Sequence, residues 1–228
     1  LANMSHEIRT PINSVIGMNE MILRESTENE ICGYAGEAKT AAESLLSIIN
    51  DILDITKIEE GRLSFVSVNY KLAQIVTDVH NMIKFRAEAK ELHFIVNVDS
   101  TLPSVLKGDD IRLKQILTNL LTNAVKYTHK GSVTLDIRNL GEGTVRFSVK
   151  DTGIGIRQQD ISRLFDAFDR IEETRNRSIE GTGLGLNITT SLLNMMGSQL
   201  QVTSEYGKGS EFFFELKQEV IDSTPIGE

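Results

Sequence analysis

The sequence predicts a multi-domain protein of the α plus α/β class: a helical hairpin forming a dimeric four-helix bundle, then an α/β sandwich with a mixed sheet. Two observations carry this prediction. Apolar residues recur in steps of three and four from Leu1 to Ile22 and again from Ile31 to Ile55, the mark of long helices with one apolar stripe. Beyond Gly61, helical patterns alternate with short β-type runs, some of them adjacent in sequence, which indicates a mixed sheet covered by helices. The division expected is residues 1–65 for the first domain and 66–228 for the second.

The first helix carries Leu1, Met4, Ile8, Pro11, Val15, Met18 and Ile22 on its stripe. His6 lies roughly 200° from Met4, on the polar side with Asn3, Thr10 and Asn13. Pro11 has no N–H for the carbonyl of Glu7, so a bend or loosening is expected one turn after the histidine. Leu1 already belongs to the stripe with no capping residue ahead, so the chain reads as a piece of a longer polypeptide. The polar stretch 24–29 turns the chain back into a second helix, about 30–60, whose flanking Leu46, Ile49 and Leu53 widen the apolar face. A lone hairpin leaves that face wet, at roughly 1.5–3 kcal/mol for each large aliphatic, and pairing two copies covers it. A homodimer is therefore expected. Cover by the downstream domain is the alternative.

In the second domain the pattern gives a helix at 72–90, a strand at 92–98 and a helix at 110–127. Strands at 132–138 and 144–150 and a short helix at 159–168 follow, with a polar segment to about 181. A helix at 185–196 precedes strands at 199–204 and 211–216, and the tail from Asp222 to Glu228 reads as loose.

Composition narrows the function. The 228 residues are 40% hydrophobic and 25% charged, as in ordinary globular proteins. A net charge of -8 argues against nucleic acid as a partner. One cysteine, Cys32, allows no internal disulfide and suits a reducing compartment such as the cytoplasm. No apolar run approaches the roughly 20 residues of a membrane span, so any membrane attachment belongs to upstream segments.

Three constellations bear chemistry. On the helix at 110–127, Leu113, Leu117, Leu120, Leu121 and Ala124 share the buried face, while Asn119, Asn123 and Lys126 lie opposite, with Tyr127 next. Two amides a turn apart can hold a hydrated divalent cation beside phosphates, which the lysine meets as a point charge. A wet helix face with two asparagines reads the same way in isolation. Next comes VKDTGIGI, in which Asp151 can accept from an exocyclic amine while Gly153 and Gly155 let the backbone approach a flat base. An aspartic protease shares Asp-Thr-Gly but requires a second such aspartate. Third is EGTGLGL, where Gly181, Thr182, Gly183, Leu184 and Gly185 open a helix and free its N-terminus to cradle phosphates. A Rossmann fingerprint fails here, because Leu186 stands where the third glycine belongs and no hydrophobic strand precedes. Between these motifs lie Phe165 and Phe168, then Arg170, Arg175 and Arg177, as in a lid with arginine available to a terminal phosphate. Gly207 and Gly209 read as a hairpin turn and nothing further.

Taken in order, these segments resemble the catalytic core of sensor histidine kinases over essentially the whole chain. NMSHEIRTP is similar to the phosphoacceptor box and NLLTNAVKYT to the asparagine box, while DTGIGI, LFDAF and GTGLGL resemble the two glycine boxes and the phenylalanine box between them. The resemblance implies a dimerisation and phosphotransfer hairpin joined to a Bergerat-type ATP-binding domain. It implies ATP and Mg²⁺ as cofactors, with His6 as phosphoryl acceptor and Glu7 handling the proton on the other ring nitrogen. Asn123, assisted by Asn119, would hold Mg²⁺, and Lys126, Tyr127 and Arg170 would contact phosphates. Asp151 would read the adenine amine. Thr10 matches the position that orients water for dephosphorylating a response regulator. Related ATP-hydrolysing chaperones and topoisomerases carry a water-activating glutamate where this chain has Asn119, which favours transfer over hydrolysis. The partner implied is an aspartate on a receiver domain or response regulator, and the opening segment is similar to that of hybrid kinases. The rival class is a nucleotide-binding scaffold without kinase activity.

Overall fold

The computed structural model describes the backbone of residues 2–165 and 183–227, with side chains from Ile8 onward except Ser162 and Phe165. The chain divides into two compact units, Leu1–Leu63 and Ser64–Glu228.

The first unit is an antiparallel hairpin of α1 (Ala2–Glu25) and α2 (Asn29–Glu59). Lys39 Nζ meets Glu20 at 2.8 Å, and Arg9 Nη2 donates to Asn50 Oδ1 at 3.0 Å, which fixes one register along both helices. Ile12, Asn19 and Ala35 are buried. Helix α1 continues through Pro11 without interruption, because proline removes one backbone donor and the flanking turns retain theirs. Much of the apolar face stays open: Met18 is 65% exposed and Tyr34 62%, with Val15, Met21, Ile22, Ile31, Leu45, Ile48 and Ile52 also exposed. The wide stripe read from sequence is therefore not consumed by pairing α1 with α2.

The second unit is an α/β sandwich. A five-stranded mixed sheet runs in the order β2-β4-β5-β7-β6, where β2 is His93–Val98, β4 Ser132–Gly141, β5 Thr144–Asp151, β6 Gln201–Glu205 and β7 Gly209–Lys217. Strands β2 and β4 are parallel and the other pairs antiparallel. Among the described residues, three α-helices accompany the sheet: α3 (Leu72–Glu88), α4 (Asp110–Tyr127) and α5 (Gly185–Met195). Between them lies the core. Leu113, Ile116, Leu117 and Leu121 of α4 are fully buried, as are Val133, Leu135, Val145, Phe147 and Phe214 of the strands. Phe147 and Phe214 stack with centroids 5.1 Å apart. Each of these side chains contributes roughly 1.5–3 kcal/mol by leaving water.

A second sheet, β1-β3-β8, is built from Val68–Lys71, Pro103–Gly108 and Glu219–Pro225, all antiparallel. It corrects the expectation of a loose tail, since Pro225 pairs with Pro103 and Val220 with Leu106. Strand β8 is held by its backbone ladder and exposes nearly every side chain, so its sequence carries no alternation to read. The turn into α4 also anchors the start of this unit. Asp109 caps the helix by accepting from Arg112 N at 2.9 Å, and its second oxygen accepts from Val66 N at 3.0 Å.

Replacing Asp109 by alanine removes both bonds from a buried position, and is expected to destabilise this unit by about 1–2 kcal/mol in urea denaturation. A loss below about 0.3 kcal/mol contradicts the anchoring role.

Candidate functional site

The site grows from the end of α4. Its leucine stripe fixes the helix against the sheet, which leaves Asn119, Asn123, Lys126 and Tyr127 half-buried on the far side. Lys126 Nζ stands 4.8 Å from the centre of the Tyr127 ring, a cation–π pair. The helix stops at Thr128, whose backbone turns extended and whose fully buried hydroxyl donates back to the Ala124 carbonyl at 2.7 Å.

The first glycine motif closes on that terminus. Ile154 N donates to the Tyr127 carbonyl at 3.2 Å. A side chain at Gly153 would collide with the same carbonyl and with Thr128 Oγ1, so only glycine lets the two backbones approach. Beside it, Asp151 ends β5 with only 6% of its surface exposed. Its carboxylate accepts from Gly153 N at 2.8 Å and from the backbone of Ser210. Burial raises its pKa above the ordinary aspartate value and outweighs the lowering effect of those two hydrogen bonds.

The β6–β7 hairpin backs the motif from behind, which corrects the reading of Gly207 and Gly209 as a turn alone. Gly207 N donates to the Ile154 carbonyl at 2.7 Å, and Ser204 Oγ accepts from Ile156 N at 2.8 Å. Gly209, at φ +110°, presses against the Asp151 carbonyl where any Cβ would collide. The sequence alone gives no role to Ser204 or Ser210, none to Gly209 beyond the turn, and none to Thr128 beyond its place in the asparagine box. A second close pair of glycines after a strand was the available signal, but nothing local reveals what a turn packs against.

The second glycine motif enters from α5. Asn119 Nδ2 donates to the Gly185 carbonyl and, at 2.9 Å, to the hydroxyl of fully buried Thr189. That clamp ties α4 to the start of α5 and leaves Asn119 Oδ1 as the amide's remaining polar atom. By contrast, the half-buried Asn123 carboxamide has no hydrogen-bond partner among the described residues. Gly183, at φ +72°, and buried Leu184 lead into the helix. The structure thus brings together Asn119, Asn123, Lys126, Tyr127, Asp151, Gly153, Gly155 and Gly183 to Gly185 in one unit.

His6 and Glu7 fall on α1, in the other unit, and their side chains lie outside the described residues. Thr10, one turn on, is exposed. Phe168, Arg170, Arg175, Arg177, Gly181 and Thr182 also lie outside the described residues.

Two family models match the chain, in the same two-part order. Residues 1–61 match the His Kinase A (phospho-acceptor) domain, and residues 108–220 match the histidine kinase-, DNA gyrase B- and HSP90-like ATPase family. The chain is 40% identical over 221 residues to the sensor protein GacS of Pseudomonas syringae pv. syringae, a stretch covering 95% of this chain and 24% of that protein. It is 38% identical over 226 residues to the autoinducer 2 sensor kinase/phosphatase LuxQ of Vibrio cholerae, covering 97% of this chain and 26% of that protein. The chain spans about a quarter of the length of these relatives. Among solved structures, full-length ShkA in complex with AMPPNP superposes with a TM-score of 0.79 at 33% identity, covering 97% of this chain and 46% of that one. Among the described residues, no helix is long and apolar enough to cross a membrane. With a phospho-acceptor domain followed by an ATPase-type domain, the chain belongs to the sensor histidine kinase family.

Proposed function

We propose that this chain binds ATP with Mg²⁺ in the second unit and transfers the γ-phosphoryl group to His6, working as a homodimer. The observation that carries the reading is the pairing, within one unit, of a buried carboxylate acceptor at Asp151 with an amide at Asn123 that has no partner among the described residues. The first suits the adenine amine and the second a cation beside the phosphates. In this reading residues 1–65 form the acceptor domain and residues 66–228 the nucleotide domain.

Asp151 accepts from the adenine amine, and the glycine-lined backbone leaves room for the base to lie flat. Asn123, with Asn119 Oδ1, holds Mg²⁺, which when bound neutralises charge on the phosphate chain. Lys126, Tyr127 and Arg170 position the phosphates together with the Gly181 to Gly185 motif, whose described part, Gly183 to Gly185, offers backbone N–H groups at the head of α5. A ring nitrogen of His6 then attacks the γ-phosphorus. The bond from that phosphorus to the ADP oxygen breaks, a P–N bond forms, and Glu7 takes the proton from the other nitrogen. From the phosphohistidine the group passes to an aspartate of a receiver domain or response regulator. Thr10, exposed one turn from His6, suits orienting water for the reverse task of dephosphorylating that partner. The relatives' names include both a kinase/phosphatase and sensor kinases, which supports a two-way role.

Dimerisation is supported by the open apolar faces of α1 and α2. A second hairpin covers them and completes four helices, with no further element needed. Sedimentation is expected to give twice the 25.4 kDa chain mass, and the pair Leu45→Glu with Ile52→Glu is expected to give the monomer. A wild-type protein that sediments as a monomer at micromolar concentration removes the dimer.

Incubation with γ-labelled ATP and Mg²⁺ is expected to yield an acid-labile, alkali-stable label, absent in His6→Gln although that variant still binds AMPPNP. Tight nucleotide binding without label in the wild type supports the scaffold reading instead.

Asp151→Asn separates binding from stability. Loss of the charged acceptor is expected to weaken ATP by about tenfold to a hundredfold in titration calorimetry. The raised pKa means that the neutral acid is the form the fold prefers. Its stabilising contribution is present below the ordinary carboxylate pKa and is lost as pH rises through the raised value. The melting temperature of Asp151→Asn relative to wild type should therefore climb from pH 4 to pH 8. A flat or falling difference contradicts the burial argument.

A further inference from the structure

The last four carbonyls of an α-helix have no partner within it, and in α4 each finds one elsewhere. Ala124 and Tyr127 are served by the Thr128 hydroxyl and by Ile154 N. The two between them, Val125 and Lys126, both accept from Lys90 Nζ, each at 2.9 Å. We propose that Lys90 is a positioning residue for the phosphate end of the nucleotide site, acting through the final turn of α4. The proposal rests on the nucleotide-binding reading given above.

Three observations support it. First, the turn held by Lys90 is the one that carries Asn123, Lys126 and Tyr127, and both of its carbonyls lie between the first and last of these. An ammonium group has three donors and a positive charge, so one side chain satisfies two acceptors and opposes the partial negative charge at the helix end. Second, Lys90 is delivered by a tight turn. Lys90 N and Leu92 N both donate to the Ala87 carbonyl, at 3.1 and 3.0 Å, and Leu92 is buried beneath. Third, it continues a series of cross-links between α3 and α4. Lys114 Nζ meets Asp78 at 3.3 Å and Arg86 Nη1 donates to Thr122 Oγ1 at 3.3 Å, each a further turn or two along both helices. Those two join side chains. Lys90 alone among the three grips the backbone, and it does so beside Asn123, Lys126 and Tyr127.

Asp151, the acceptor for the base, stands on β5, where its pairing with Val133 of β4 and Ser210 of β7 holds it without that grip. Loss of Lys90 therefore loosens the phosphate contacts and spares the base contact. The test compares two ligands by calorimetry on the 228-residue protein: AMPPNP with Mg²⁺, and adenosine, which has no phosphates. Lys90→Met keeps the aliphatic stem and removes the donors. It is expected to weaken AMPPNP by roughly tenfold while leaving adenosine within about twofold. Lys90→Arg, which can still bridge two carbonyls, is expected to recover most of the loss. In steady-state labelling the change appears in KM for ATP, with kcat at saturation retained. Equal weakening of both ligands, or unchanged AMPPNP affinity in Lys90→Met, overturns the proposal. A wild-type protein that binds neither ligand overturns the nucleotide reading itself, and the role of Lys90 with it.

Discussion

Two backbones meeting without a side chain between them is the constraint on which the nucleotide domain depends. The C-terminal carbonyl of α4 accepts from Ile154, and the chain can come that close only because Gly153 has no Cβ. A third segment locks the junction from the other side, where Gly209 presses on the Asp151 carbonyl and Gly207 bonds to Ile154. Helix, motif and hairpin thus form one frame. Residues far apart in sequence, Asn123 on the helix and Asp151 on the strand, are held at fixed separation as a result.

The frame works against local stability in one place. Asp151 is nearly buried, and enclosing a carboxylate there makes its charged form costly. A core position filled by a neutral side chain of the same shape avoids that cost. The charge has value only if a donor arrives to meet it, as an exocyclic amine would. Asn119 illustrates the opposite economy. Its amide nitrogen is committed to Gly185 and Thr189, binding α5 to α4, so one residue joins the two walls of the site while its oxygen has no hydrogen-bond partner among the described residues.

Legibility in the sequence followed the strength of side-chain periodicity. Helix α4 was readable from Asp110 to Tyr127 because its leucines bury one face completely and its polar residues cannot share it. The hairpin helices were readable for the same reason, and their unspent stripe pointed to a partner. Strands β1, β3 and β8 were not readable. They are short, β3 opens with a proline, and β8 exposes almost all its side chains, so none of them offers a clean alternation of buried and exposed residues to read. The site divides likewise. Asn119, Asn123 and Asp151 announce themselves by chemistry and spacing, whereas Lys90, Ser204 and Gly209 matter through contacts with segments at least 35 residues away in the case of Lys90 and 48 for Ser204. No local pattern encodes such contacts.

The most direct measurement is a crystal structure of the protein with AMPPNP and Mg²⁺. The adenine amine is expected within hydrogen-bond distance of an Asp151 carboxylate oxygen, with the base lying along the backbone of Gly153 to Gly155 and Asn123 Oδ1 coordinating the cation. A base bound elsewhere, with Asp151 still enclosed by backbone donors alone and Asn123 facing solvent, would contradict it.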